Sequence, residues 1–521
     1  MKKLIKIILV SVVVLGMNAC TEEKILDLNP INNISEEDAF STAALVGSYM
    51  NGVYNAAAIG QYNNTLPNDG RGFIWGAAFV QQGDTRGEDV VSTASFYQNT
   101  YTAAYDPNTA NNVYYWVDGY RLINRCNLMI EGVNTAVAKG VITAAVGDDY
   151  IGQAKFLRAI THFELLNYFA RPYNFTTGAS HPGVLYREVG VNTQAEVISE
   201  TAKLRNTVAE CYAKILADLT DAERLITTKT IAKASKNAAI AFKTRVYLHK
   251  RDWANVIAEG AKLTTYSLTP RPGDPFVLGN NLINVESIFS IQHSTVNNPS
   301  INGALASMHK DRGLIAISPI IWRNPMWLSD DKRREETYDG NGEATGMVLT
   351  KGGTKITNKY TDVKNRTDAA PVIRYAEVLL SMAEAQARLT SPNLSESLRL
   401  LNLVRDRSLA NPVAQTYTTA SFATASDLVK AILLERRIEF LSEGRRWSDI
   451  HRLQKDDIAP IDGIPGKLAN GSVNAALYTL GSPYSGPYGV AAIPGEDRRF
   501  LWPIPQVERN ANPDLEQNPL W

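Results

Sequence analysis

Apolar side chains recur every three or four residues through long blocks of this chain, and that period commits most of it to packed α-helices. Ser35-Glu36-Glu37-Asp38 opens the first block, a Ser N-cap followed by acids that suit the positive end of a helix. Ala39, Phe40, Ala43, Val46 and Gly47 carry its apolar face on to Tyr54. Residues 112–131 repeat the pattern with Val113, Trp116, Val117, Tyr120, Ile123 and Leu128. Residues 148–169 repeat it with Ile151, Ala154, Leu157, Phe163 and Leu166, until Arg171-Pro172 stops the helix. Further helices are expected over 204–225, 236–249, 252–263, 372–389, 394–407 and 426–453. Small Ala residues sit three or four positions from large ones, as in the paired helices of tetratricopeptide-type repeats, although that repeat's own signature is not readable.

Residues 60–110 and 266–370 break the pattern. Both are rich in Gly, Asn and aromatics with no clean period, and both read as long loops. Residues 456–521 are Pro/Gly-rich and read as an irregular tail. Loops of this length are normally functional or disordered, and their aromatic content argues against disorder. The expected architecture is mostly α and a single domain over 35–521. It has a helical part at 35–265 carrying the 60–110 insertion, an irregular insertion at 266–370, and C-terminal helices and tail at 371–521.

The N-terminus is an address. Lys2, Lys3 and Lys6 precede an apolar run over 7–15, then Gly16, Ala19 and Cys20. The run is too short to span a bilayer and has the form of a signal peptide over 1–19. A Cys directly after the small residue resembles a bacterial lipoprotein signal, so Cys20 is the expected lipidation site and the lipid the expected sole membrane anchor. Residues 20–34 would then be a tether, and the acids in Thr21-Glu22-Glu23-Lys24 suit export to the outer face.

Charge and motif content exclude several function classes. The 53 basic and 53 acidic side chains cancel, which leaves no electrostatic footprint for nucleic acid. The six His are scattered and no C-x-x-C occurs, so neither a metal nor another cofactor is expected. Cys126 and Cys211 read as buried free thiols, although an oxidising compartment would permit a bridge. Gly70-Arg71-Gly72 and Gly352-Gly353 read as turn glycines with no helix behind them to cradle a phosphate. Glu435, Glu439 and Glu443 are four apart and would share one helix face. Arg436, Arg437, Arg445 and Arg446 are interleaved with them, and ion pairing would keep those acids ionised. No catalytic residue is therefore assigned.

Four C-terminal stretches add a more specific signal. Ile373-Arg374-Tyr375-Ala376-Glu377 runs into Ala383-Glu384-Ala385, and Leu401-Asn402-Leu403-Val404-Arg405 follows. Glu435-Arg436-Arg437-Ile438-Glu439-Phe440 continues to Glu443-Gly444-Arg445-Arg446-Trp447-Ser448-Asp449. Pro503-Ile504-Pro505 and Asn512-Pro513-Asp514-Leu515-Glu516-Gln517-Asn518-Pro519 close the chain. In this order the blocks resemble those of the SusD/RagB family of outer-membrane lipoproteins, and Asp38-Ala39-Phe40 also fits. The resemblance implies a tetratricopeptide-like helical scaffold over a SusC-like TonB-dependent outer-membrane transporter. It implies capture of an oligosaccharide, or in some members a peptide, at the cell exterior, with no chemistry done on the ligand.

Sugar recognition needs flat rings for the C–H faces and planar polar groups for the hydroxyls. Both irregular insertions hold that mixture. The candidates from the first are Trp75, Asp84, Arg86, Phe96, Tyr97, Asn99 and Tyr101; those from the second are Trp322, Arg323, Asn324 and Trp327. Trp116, Trp253, Trp447 and Trp502 fall on helical or family-block positions and read as structural. Two other classes compete: a peptide-binding uptake protein or adaptor of the same fold, and a helical glycoside hydrolase, which would need two acids about 5–9 Å apart in one cleft.

Overall fold

The computed structural model describes residues 36–62 and 70–521. The signal peptide, Cys20 and the 20–34 tether lie outside the described residues. Eleven helices carry the argument: α1 (Ala43–Ala58), α2 (Ala77–Thr85), α3 (Ala110–Ala138), α4 (Ala144–Phe169), α5 (Val208–Leu225), α6 (Lys236–Lys250), α7 (Trp253–Gly260), α8 (Tyr375–Arg388), α9 (Leu394–Asp406), α10 (Ala425–Glu439) and α11 (Arg446–Arg452). Six short strands accompany them: β1 (Val90–Ser92), β2 (Ser287–Ile291), β3 (Ile315–Ile317), β4 (Val348–Lys351), β5 (Thr354–Thr357) and β6 (Ala370–Arg374). Most long helices start on a hydroxyl cap that satisfies an otherwise orphaned N–H. Thr207 with Glu210 and Thr424 with Asp427 form capping boxes, and Thr143 and Ser235 cap α4 and α6.

Consecutive helices pack as neighbours from α3 through α7, and α8 bridges α6, α7, α9 and α10. Helix α4 is the axis of the first half, lying between α3 and α5 and buried almost continuously from Gly152 to Phe169. It buries polar groups only with partners: Arg158 donates to both oxygens of Asp218 at 2.7 Å and to Asn127 Oδ1 at 2.8 Å. The largest apolar core runs from Ala39 to Leu515, so the irregular tail helps to close the N-terminal helices. Cys126 and Cys211 are buried free thiols, and burial pushes both up to about 12.

Four local expectations are corrected. Residues 60–110 are not continuous loop, because α2 lies inside them; it is buried on every side and so has no amphipathic period to read. Residues 370–374, expected to begin a helix at 372, form β6 and pair antiparallel with β2, Ser287 facing Arg374 and Ile291 facing Ala370. Residues 266–370 also contain a tight hairpin, β4–β5, turned by Gly352 and Gly353, both at positive φ. The helix expected over 426–453 is two helices, broken at Ser442 (φ 63°) and Gly444 (φ 77°). That elbow packs backbone to backbone on α2: a Cβ on Gly83 would stand 2.4 Å from the Gly444 carbonyl oxygen.

The elbow also decides where the three glutamates point. They bond not to the interleaved arginines but to cations from distant segments. Arg374 donates to Glu439 at 3.0 Å and, with two nitrogens, to Glu443 at 2.8 and 3.0 Å; it also pairs with Glu286. Arg333 reaches Glu435 at 2.5 Å and Glu439 at 3.0 Å, Arg407 reaches Glu439 at 2.5 Å, and Lys359 reaches Glu443 at 2.7 Å. The interleaved arginines go elsewhere: Arg436 to Asp449, Arg437 and Arg446 to Glu88 and Asp89, and Arg445 to Glu164. Burial pushes the Glu439 carboxyl up, but Arg407, Arg374 and Arg333 outweigh it and hold it well below the carboxylate range. At Glu435 burial wins over Arg333 and the pKa rises.

Breaking such a pair on one side strands a buried charge. Arg374→Met is expected to lower unfolding free energy by about 3–5 kcal/mol in urea titration. An unchanged denaturation midpoint would show that the lattice does not hold the C-terminal half.

Candidate functional site

Most of the aromatic rings in the two insertions are consumed by the core. Trp75, Tyr97 and Tyr101 are each 1% exposed. Trp75 takes a left-handed backbone (φ 70°) and packs on Phe79 at 4.9 Å. Tyr101 donates to the Leu468 carbonyl at 2.7 Å. Trp322 and Trp327, 5% and 3% exposed, meet edge to face at 5.5 Å under the Arg334 guanidinium, and the Trp322 indole donates to the Tyr478 carbonyl at 3.2 Å. None of these five rings leaves a free face for a ligand. The polar candidates beside them are also engaged. Arg86 is buried, lies 3.8 Å over Trp447 and donates to Tyr105 and the Phe500 carbonyl. Asp84 accepts from the Gly444 N–H at 3.1 Å. Arg323 is bound to Ser482, and Asn324 closes its own turn onto the Met326 N–H. Phe96, half-buried, and Asn99, exposed, remain at the surface.

Phe96 belongs to a cluster whose other members carried no clear mark in the sequence. Tyr62 follows α1, Tyr114 projects from α3, and Phe73 lies beneath them. The Tyr62 and Tyr114 ring centres are 4.5 Å apart, and Phe73 is 6.0 Å from each. The Arg71 guanidinium lies 3.7 Å above Tyr62 and 5.1 Å from Phe96, and Arg312 approaches Phe96 at 5.2 Å. Tyr62, Arg71, Phe96 and Tyr114 are half-buried and Arg312 is exposed, so the group forms an aromatic platform with one cation over Tyr62 and another near Phe96.

Local backbone chemistry sets it up. The glycines flanking Arg71 are not a simple turn. The Gly72 N–H bonds the Ile59 carbonyl at 3.1 Å, and Gly72, at φ 62°, lies so close to Gly76 that a Cβ would stand 2.5 Å from its Cα. This pins Arg71 between the end of α1 and the start of α2. Thr93, just after β1, bonds the Leu314 carbonyl at 3.0 Å and ties the approach to Phe96 to the segment after Arg312. Beneath Phe96, burial pushes the Tyr97 phenol up while the charges of Arg71 and Arg312 pull it down, and its hydroxyl has no hydrogen-bond partner. An arginine next to glycine inside an aromatic-rich irregular stretch was the available signal for both cations.

A second cleft of about 520 Å³ is lined by Arg271, Phe276, Lys332, Met347, Asn358 and Lys359. Its cations are already used: Arg271 pairs with Glu335, Lys332 bonds the Arg407 carbonyl, and Lys359 satisfies all three of its donors on Glu443 and two carbonyls. Among the described residues no cluster of three His, Cys, Asp or Glu side chains could hold a metal ion.

A model described as the SusD family matches residues 326–521, and one described as starch-binding associating with outer membrane matches residues 24–248. SusD-like protein P2 of Formosa agariphila is 23% identical over 97% of this chain and 97% of its own length. SusD-like protein P38 of the same organism is 24% identical over 88% of this chain and 93% of its own length. A solved SusD superfamily protein from Bacteroides fragilis shares 25% identity and superposes with a TM-score of 0.73, covering 92% of this chain and 100% of that one. A SusD-like carbohydrate binding protein from Bacteroides vulgatus shares 19% identity with a TM-score of 0.69, over 91% of this chain and 97% of that one. The mostly helical fold, with tetratricopeptide-like pairs, is that of these structures.

Two predictions separate packing from platform. Trp75→Ala is expected to cost about 3–5 kcal/mol in denaturant unfolding, as for a large buried ring, whereas Phe96→Ala leaves the midpoint nearly unchanged; equal losses would place both rings in the core. Burial raises the Asp84 carboxyl to about 7, against 3.8 for the free group. Between those values the folded chain holds a proton that the unfolded chain has lost. The associated stability is therefore full below pH 3.8 and is lost as pH rises through 7. Asp84→Asn should remove that part of the pH slope; an identical slope in the variant would assign the effect to another group.

Proposed function

This chain is a SusD-like protein, and on that footing we propose that it is a non-catalytic surface lipoprotein that captures a glycan on the Tyr62–Phe96–Tyr114 platform. It delivers the captured oligosaccharide or polysaccharide to a partner SusC-like TonB-dependent transporter in the outer membrane. Cys20 carries the lipid, and the protein faces the cell exterior.

The observation that carries this reading is the half-buried ring group itself. Phe96 and Tyr114 offer apolar ring surface to the C–H faces of pyranose rings, and the Arg71 guanidinium stacked over Tyr62, with Arg312 near Phe96, offers planar donors for hydroxyls. None of these side chains is a carboxylate, whereas a glycosidase places two acids around the scissile bond. The starch-binding description of the matched N-terminal model and the carbohydrate-binding relative from Bacteroides vulgatus support the ligand class.

Capture for delivery calls for modest affinity, since the ligand must leave again. Titration calorimetry against plant, microbial and host polysaccharides should find one bound class. Tyr62→Ala or Phe96→Ala should weaken that binding at least about tenfold, which is about 1.4 kcal/mol, with melting unchanged. Binding of peptide mixtures with silence across all glycans would replace this reading with peptide uptake.

A further inference from the structure

Arg71 and Arg312 differ from the arginines of the buried ion pairs. Arg333, Arg374, Arg407, Arg436, Arg446 and Arg452 are each closed by at least one carboxylate. Arg71 and Arg312 enter no ion pair with any described residue. Among the described residues Arg71 is held by ring faces, and its Nε is buried with no hydrogen-bond partner there. Arg312 gives one nitrogen to two neutral acceptors, Asn302 Oδ1 at 2.9 Å and Met308 Sδ at 3.6 Å. Both guanidinium groups lie within 5.2 Å of the centre of the same ring, Phe96.

Two like charges sharing one ring repel each other while the site is empty. A neutral sugar relieves none of that repulsion, because neutral amides would serve its hydroxyls equally well. An anion set against both guanidiniums turns the repulsion into two charge-assisted contacts, and the planar fork of Arg suits a carboxylate or sulfate in particular.

We propose that the platform selects an anionic glycan, with a carboxylate- or sulfate-bearing sugar ring laid beside Phe96 and its charged group held by Arg71, Arg312 or both. The inference rests on the platform being the capture site. The overall charge balance of the chain does not oppose it, because contacts this close are local and long-range charge is screened beyond roughly 10 Å in physiological salt.

Matched probe pairs test it with the full chain. Polygalacturonate oligomers are compared with the neutral galactan made by reducing their carboxyl groups, and dextran sulfate with dextran. In at least one pair the charged member should bind ten times more tightly or better, and the pair that shows it assigns carboxylate or sulfate. Raising ionic strength from about 0.05 M to about 0.5 M should erase most of that preference. Arg71→Gln and Arg312→Gln should each abolish it with melting unchanged, and Arg312→Lys should keep part of it. Equal binding within both pairs, or a preference untouched by both Gln variants, overturns the anionic assignment. If a neutral member binds, is lost in Phe96→Ala and ignores the arginine variants, capture at the platform stands and this inference alone fails. Silence toward all four probes overturns the anionic assignment, while the capture reading stands or falls on the wider polysaccharide panel.

Discussion

Everything in the second half of this molecule hangs on a lattice of ion pairs buried where α10, the elbow after it and β6 converge. Its acids, Glu286, Glu435, Glu439 and Glu443, are almost wholly shielded from solvent, and Arg333, Arg374, Arg407 and Lys359 reach them from four separate segments. A buried charge is tolerable only when paired and hydrogen-bonded, so each member constrains where the others can be. The lattice stands in for apolar packing at the junction of helices with short strands. Neighbouring pairs extend it: Arg452 and Arg388 onto Glu384, and Arg446 and Arg437 onto Glu88 and Asp89 just before β1. The last link bears on the proposed capture site, since β1 leads towards Phe96.

The same logic sorts the aromatic rings. A chain of this size has enough interior to swallow irregular segments as well as helices, so an aromatic-rich stretch is not by that fact a surface stretch. Trp75, Trp322 and Trp327 each sit among other rings or under a guanidinium, and they build the floor and walls of the loop regions. What distinguishes the platform is its edge. Elsewhere arginines over aromatic rings are mostly also tied to a carboxylate or a backbone carbonyl, whereas Arg312 bonds only the neutral Asn302 and Met308 and Arg71 forms no ion pair with any described residue. That unspent hydrogen-bonding capacity is what recommends the platform as the proposed capture site.

Much of the scaffold was legible in the sequence. The three- and four-residue period located α3, α5 and α9 because each keeps a wet face, and it located α4 and α6 although both are buried nearly all round. It failed at α2, where Ala77–Thr85 is buried all round and leaves no alternation to detect. It ran straight through Ser442 and Gly444, because the turn there is fixed by contact with Gly83, some 360 positions earlier, and not by a local stop signal. The glutamates at 435, 439 and 443 were legible as structural, but their partners were not, since sequence spacing shows neighbours along a helix and not arginines from other segments. Site residues were the least legible. Phe96 and Asn99 came from composition, whereas Arg71 and Arg312 look like ordinary turn arginines until the fold brings both to one ring. Composition can identify the right kinds of residue, but burial decides which of them meet solvent.

The most direct test of the account is a crystal structure of the chain soaked with an oligosaccharide it binds. The account predicts a sugar ring lying beside Phe96, with polar contacts to Arg71 or Arg312 and the ion lattice around Glu439 unmoved. A sugar seated in the Arg271–Met347 cleft with the platform empty would contradict it.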